Sequence, residues 1–120
     1  IVCVSSICGD EVIEGAPVTY SAAKAALNAY VRGIARPLGR EGIRINAVAP
    51  GNILFDGSVW AEKLGDNPDG VQKMLDAETS LARLGTPDEV ANTVLFVAST
   101  TAAFATGSVW TLDGGQRRTN

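Results

Sequence analysis

The chain has 120 residues, 46% of them apolar and 19% charged, with a net charge of −3 from 13 acidic and 10 basic side chains. That balance excludes a disordered polyelectrolyte, a collagen-like repeat and a disulfide-dense miniprotein, and the lack of a basic stripe argues against nucleic-acid binding. With no histidine, Ser-His-Asp and Cys-His nucleophiles and His-ligated zinc are impossible, and no metal site is expected.

The sequence opens at Ile1, without an initiator Met, inside an apolar run, which predicts that an N-terminal part precedes it. Ile1-Val2-Cys3-Val4 reads as a buried parallel strand feeding a loop at Ser5-Ser6 and Gly9. Cys3 is expected to pack in that strand and Cys8 to be a more accessible loop thiol. The two have four residues between them and form no CxxC, which fits a reducing compartment. From Pro17 to Leu38, Leu27, Val31, Ile34 and Leu38 recur at helical spacing in an Ala-rich background. Pro37 is expected to kink or finish this helix, with Gly39 and Gly42 marking the stop.

Ile43 to Ala49 reads as a second strand, closed by Pro50-Gly51. The stretch from Asn52 to Arg83 carries acidic residues (Asp56, Glu62, Asp66, Asp69, Asp76, Glu78) expected on a solvated face. Within it Asn67-Pro68-Asp69 signals a helix start, with Val71, Met74, Leu75 and Leu81 as its packing side. Thr86-Pro87-Asp88-Glu89 is a capping box opening a helix to about Ala98. Ser108 to Leu112 is a last strand, ending in Asp113-Gly114-Gly115. This order predicts an α/β fold, a parallel sheet of three strands with flanking helices on both faces. Such a sheet leaves an edge open where earlier strands should pair, so residues 1–120 read as half of a doubly wound domain. No apolar run approaches the roughly 18 residues needed to span a bilayer and no signal-peptide pattern is present, so a cytoplasmic protein without membrane contact is expected.

Tyr20 and Lys24 are four apart, on one helical face. Positive charge nearby favours phenolate over phenol, so this pair suits proton exchange with an alkoxide or an alcohol. Ser6, at the end of the first strand, stands where open α/β sheets gather ligands and could orient a carbonyl oxygen. The YxxxK spacing alone is a weak signal, since any amphipathic helix can place a packed aromatic beside a solvated lysine.

The neighbouring blocks add specificity. VSSICG, YSAAKAALNAYVRGIA, GIRINAVAPGNI, RLGTPDEVANTVLFVAS and TGSVWTLDGG occur in an order that closely resembles the short-chain dehydrogenase/reductase family, of the type that includes 3-oxoacyl-carrier-protein reductases. The resemblance covers nearly the whole chain and implies the C-terminal portion of a single NAD(P)-binding Rossmann-like domain. It implies Tyr20 as catalytic acid/base, Lys24 as the lysine on the nicotinamide ribose, and Ser6, rather than Ser5, as the substrate-orienting serine. Pro50, Gly51 and Ile53 would hold the nicotinamide carboxamide, largely through backbone groups. The resemblance also implies homo-oligomers, dimer or tetramer, through Trp110 to Gly115 and through the YxxxK helix.

Departures are visible too. The Gly-rich GxxxGxG turn, the NAD-versus-NADP selector and the NNAG segment with a further catalytic Asn have no counterpart here. Thirteen residues separate Ser6 from Tyr20, a slightly long interval assigned to the loop Gly9 to Ala16. Phe55 stands where relatives often have Thr. Phe55, Trp60 and Leu64 lie where the family has a mobile substrate lid; plain packing of a helical excursion explains them equally well. Asn46 is expected to make a structural hydrogen bond, and Asn28 to be solvated or packed. Arg117 and Arg118 could be tail charges or reach a partner subunit. The leading functional expectation is hydride transfer between NAD or NADP and a carbonyl or secondary alcohol, a 3-oxoacyl thioester among the candidates. The alternative is an inert fragment of such an enzyme that only self-associates. A sugar epimerase or dehydratase shares YxxxK but not the APGNI and LDGG blocks, and ranks below both.

Overall fold

Alternating side chains along three short, mostly apolar strands decide how the sheet is covered. The computed structural model describes residues 1–118 and places β1 (Val2–Val4), β2 (Asn46–Pro50) and β3 (Val109–Leu112) in one parallel sheet, in that spatial order. Cys3, Ala47 and Val109 are aligned across the strands, as are Val48 and Trp110 one residue further on. Successive residues face opposite sides of a sheet, so these two rows lie on opposite faces. The first row packs with Leu27, Val31, Ile34, Ala35 and Leu38 of α1 (Val18–Arg40). Trp110, in the second, meets Phe96 of α4 (Pro87–Ala98) edge-to-face, with ring centroids 5.8 Å apart. Helices therefore cover both faces, as the element order predicts.

Between β2 and α4 the chain forms α2 (Val59–Asp66) and α3 (Pro68–Glu78). Asn67 caps α3 through its side chain, with Pro68 at the first turn, and Thr86 and Glu89 form the predicted reciprocal capping box of α4. Two 3-10 turns, Ile7–Gly9 and Thr100–Ala102, complete the order. Among the described residues no helix is long and apolar enough to cross a membrane.

Two local expectations need correction and a third is met in part: α1 passes Pro37 and ends at Arg40, between the glycines Gly39 and Gly42 expected to mark the stop. The missing N–H falls in the last turns, where Leu38 packs on the sheet and its carbonyl accepts the N–H groups of Glu41 and Ile43. Gly42, at φ +74°, supplies the left-handed residue that ends it. The strand expected from Ile43 begins only at Asn46. Before it, the Arg44 carbonyl still accepts the Ile1 amine at 2.8 Å, while the Arg44 guanidinium reaches away and donates to the carbonyls of Val97, Ala98, Ser99 and Ala105 at 3.0–3.2 Å, closing the carbonyl end of α4. Leu81 is exposed rather than packed; α3 stops at Glu78, and the chain reverses through Ala82 at φ +49°.

Candidate active site at the carboxyl ends of the strands

Because the strands are parallel, Ser5-Ser6, Gly51-Asn52 and Asp113-Gly114 all leave from one edge of the sheet. Ser6 is buried, and its Oγ accepts the Cys8 N–H at 3.2 Å, capping the 3-10 turn Ile7–Gly9. The half-buried Cys3 joins the core beneath α1, and Cys8 is half-buried in the turn; both are free thiols.

The N-terminal end of α1 carries Tyr20 in its first turn, exposed, and Lys24 one turn on. The Lys24 ammonium lies 5.6 Å from the Tyr20 ring centroid and donates to the Val4 carbonyl at 2.9 Å. That contact uses one of three N–H groups. It joins the helix to the last residue of β1, two residues before Ser6.

After β2, Gly51 lies so close to the third strand's exit that a Cβ there would be 2.8 Å from the Asp113 side chain. Ile53 forms an isolated parallel bridge with Gly85. The bridge bonds run from Gly85 N–H to the Asn52 carbonyl and from Leu54 N–H to the Gly85 carbonyl, both at 2.9 Å. In that ladder geometry the N–H and C=O of Ile53 itself point to the opposite side. A small cavity beside Ile53 and Gly85 is rimmed by Arg83 and Glu89. There the Arg83 hydrogen bonds and the Thr86 backbone N–H hold the Glu89 carboxyl down, from an ordinary 4.5 to about 2.

Trp60 lines a cleft of about 290 Å³ with Cys8, Ile13, Lys63, Met74 and Gln116. The Lys63 ammonium sits 4.5 Å from the Trp60 ring centroid. Phe55 is exposed and takes no part in this cleft. The structure thus gathers Ser6, Tyr20, Lys24 and the Pro50–Ile53 segment along one edge and sets Trp60 beside it.

Sequence reasoning gave too little weight to a set of polar groups behind Ser6. Asn28 is fully buried, and it binds Ser5 Oγ at 2.5 Å and Asp10 Oδ1 at 3.1 Å. Its position, four residues after Lys24 on the same helical face, was the available signal. Asp10 also pairs with Arg32 at 3.3 Å and Arg117 at 3.0 Å, so Arg117 turns back onto its own chain. The Arg118 backbone N–H bonds Glu11 Oε2 at 3.2 Å. Asn46 makes two structural hydrogen bonds, to the Ala105 carbonyl and the Ser108 N–H, as expected.

Comparison with known proteins agrees with this layout. Residues 1–117 match the family described as enoyl-(acyl carrier protein) reductase. Isoepoxydon dehydrogenase of Penicillium expansum is 38% identical over 115 residues, 96% of this chain and 44% of the relative. The 7alpha-hydroxysteroid dehydrogenase of Escherichia coli K12 is 41% identical over 97 residues, covering 81% of this chain and 36% of that protein. The chain therefore spans less than half the length of these curated relatives. Among solved structures, an NADPH-bound short chain oxidoreductase from Pseudomonas aeruginosa PAO1 superposes with a TM-score of 0.87 at 31% identity, over 100% of this chain and 46% of that one. A 3-oxoacyl-acyl-carrier-protein reductase from Brucella melitensis gives 0.83 at 33% identity, over 96% and 41%. Motifs, fold and relatives agree, and the chain belongs to the short-chain dehydrogenase/reductase family.

Proposed function

We propose that these residues are the C-terminal portion of a single Rossmann-like domain in a cytoplasmic, homo-oligomeric oxidoreductase. It transfers hydride between a nicotinamide cofactor, NAD or NADP, and a carbonyl or secondary alcohol, with a 3-oxoacyl thioester as one candidate substrate. The observation that carries this reading is the convergence of Ser6, Tyr20–Lys24 and Pro50–Ile53 at the carboxyl edge of the sheet, where open α/β folds bind ligands.

The residues present fit a nicotinamide ribonucleoside. Lys24 has N–H groups beyond the one given to Val4, suited to ribose hydroxyls. The outward N–H and C=O of Ile53 match the acceptor and donor of a carboxamide, and Pro50 and Gly51 would shape the approach. The cofactor, when bound, supplies or takes the hydride. This chain's part is proton transfer and positioning. In the reductive direction the Tyr20 hydroxyl gives its proton to the oxygen of the new alcohol; in oxidation the phenolate takes it. Lys24 supplies positive charge beside the ring and places the ribose, and Ser6 Oγ donates to the substrate oxygen as charge builds there. Trp60 and Phe55 are the substrate-side residues in this reading, Trp60 through the cleft it lines.

Tyr20→Phe in the protein that carries this chain tests the reading, because it removes one oxygen and leaves the ring. Turnover should fall by about 10²–10⁴-fold, the range for a general acid–base group. Turnover near wild type would remove Tyr20 from the chemistry. A second reading, that the 120 residues alone only self-associate, is favoured by exposed Val4, Leu95 and Phe104. Titration with NADH or NADPH, followed by fluorescence of Trp60 and Trp110, separates the two: saturable micromolar binding excludes an inert fragment.

A further inference from the structure

We propose that Asn28 is a positioning residue that fixes Ser6 relative to Tyr20 and Lys24. The inference rests on the oxidoreductase reading for its consequence, but on geometry for its substance. The segment from Ser5 to Asp10 contains Ser6 and wraps around a single side chain. At one end Ser5 Oγ donates to Asn28 Oδ1 at 2.5 Å; at the other Asn28 Nδ2 donates to Asp10 Oδ1 at 3.1 Å. Between these points Gly9 presses on α1, so that a Cβ there would lie 2.8 Å from Asn28 Nδ2 and 2.7 Å from the Lys24 carbonyl carbon. Asn28 is fully buried, so neither half of its amide can exchange a lost partner for bulk water.

The placement on α1 gives this clamp its meaning. Tyr20, Lys24 and Asn28 follow one another at four-residue intervals and so lie along one side of the helix. Lys24 and Asn28 tie that helix to consecutive residues, Val4 and Ser5, at the exit of β1. If the Lys24 ammonium turns to a ribose, its bond to Val4 is shared or given up. Asn28 then remains the buried polar tie between the helix that bears the tyrosine and the turn that bears the serine, with the exposed Arg32–Asp10 pair of the same helix outside it. Arg32 and Arg117 hold the Asp10 carboxylate in place from outside.

The test exchanges donor and acceptor in the full protein. Asn28→Asp keeps an acceptor for Ser5 but sets two carboxylates against each other at Asp10. Asp10→Asn alone keeps an acceptor for Asn28, and the double exchange restores one carboxylate facing one amide. Two readouts are taken: kcat and KM for the carbonyl substrate, and hydrogen exchange of the Cys8 amide, which is bonded to Ser6 Oγ. Asn28→Asp should lower kcat by about 10–100-fold, the scale of a small misplacement of reacting groups. Cofactor KM should stay within about twofold and Cys8 exchange should speed up, because binding groups elsewhere are untouched. Asp10→Asn gives up the ion pairs with Arg32 and Arg117 and so sets the reference; the double variant should recover both readouts to the level of Asp10→Asn, as coupled pairs in one network behave. Unchanged kcat and Cys8 exchange in Asn28→Asp, or a double variant no better than the single, would overturn the proposal. Should the wild-type protein show no turnover, the oxidoreductase reading fails by itself, and Cys8 exchange alone decides whether Asn28 holds the serine turn.

Discussion

Gly9→Ala is the smallest change that strains the contact between the serine turn and α1. The added methyl would sit 2.7 Å from the Lys24 carbonyl carbon and 2.8 Å from both the Lys24 oxygen and Asn28 Nδ2, where ordinary contact starts at 3.4 Å. The shortfall is about 0.7 Å, and two of the three atoms are helix backbone, which cannot rotate away. Overpacking of this kind costs about 1–3 kcal/mol, partly offset by about 0.4–1 kcal/mol from a stiffer unfolded chain. A net loss of about 1–2 kcal/mol corresponds to a fall in Tm of about 4–10 °C for a chain of this size. Gly33→Ala is the control. It lies inside α1 with nothing within 4 Å of its added methyl and should stabilise by about 0.5–1 kcal/mol. Scanning calorimetry of the two variants reads the difference directly. A Tm for Gly9→Ala equal to or above wild type would show that the turn yields freely, and would remove the steric basis for a fixed Ser6.

Arg44→Ala leaves four carbonyls near the end of α4 without their charged donor and should cost about 2–4 kcal/mol in urea unfolding. Arg44→Lys, which lacks the fork, should recover less than half of that; equal stability of all three proteins would show the contacts to be idle. Glu89 gives a pH signature. Its folded carboxyl is held at about 2 against an ordinary 4.5, so its stabilisation is complete above about 4.5 and is lost as pH falls toward about 2, because the unfolded chain takes up the proton first. The gap in denaturation midpoint between wild type and Glu89→Gln should therefore be full at about pH 6, shrink below about pH 4.5 and close only below about pH 2; a gap that stays constant contradicts the assignment.

Much of the architecture is legible in the sequence because it depends on local chemistry. The Asn67 cap and the Thr86–Glu89 box satisfy helix N–H groups within four residues, and Pro68 at the first turn has none to satisfy, so each start is visible in the sequence. Strand ends were less legible. Ile43-Arg44-Ile45 has a strand-like pattern, but the Arg44 side chain serves carbonyls more than fifty residues away, a demand no local window contains. Pro37 marks the helix end only to within a turn: packing of Leu38 on the sheet outweighs one lost hydrogen bond, and α1 ends at Arg40, between Gly39 and Gly42. At the candidate site, the Tyr20–Lys24 spacing is visible in the chain itself. The turn of Ile53 toward Gly85 is not, since it needs residues thirty-two positions apart. Asn28 was undervalued because a buried asparagine and a solvated one look identical until Ser5 and Asp10 are brought to it.

The ion pair between Arg117 and Asp10 spans 107 positions, with both side chains more than four-fifths covered. In the order of synthesis, the serine turn and the tyrosine helix are complete long before the residue that braces Asp10 has been made. Every strand pairing in the sheet is likewise long-range, so loop closure comes before any reward and folding should be slow for this size. A chain interrupted before Arg117 would contain every residue assigned a chemical role, yet its Asp10 would be held only by Asn28 and Arg32. The Arg117 brace on the serine turn thus waits for residues synthesised well after it, and a nascent chain carrying Ser6, Tyr20 and Lys24 is not yet a finished site.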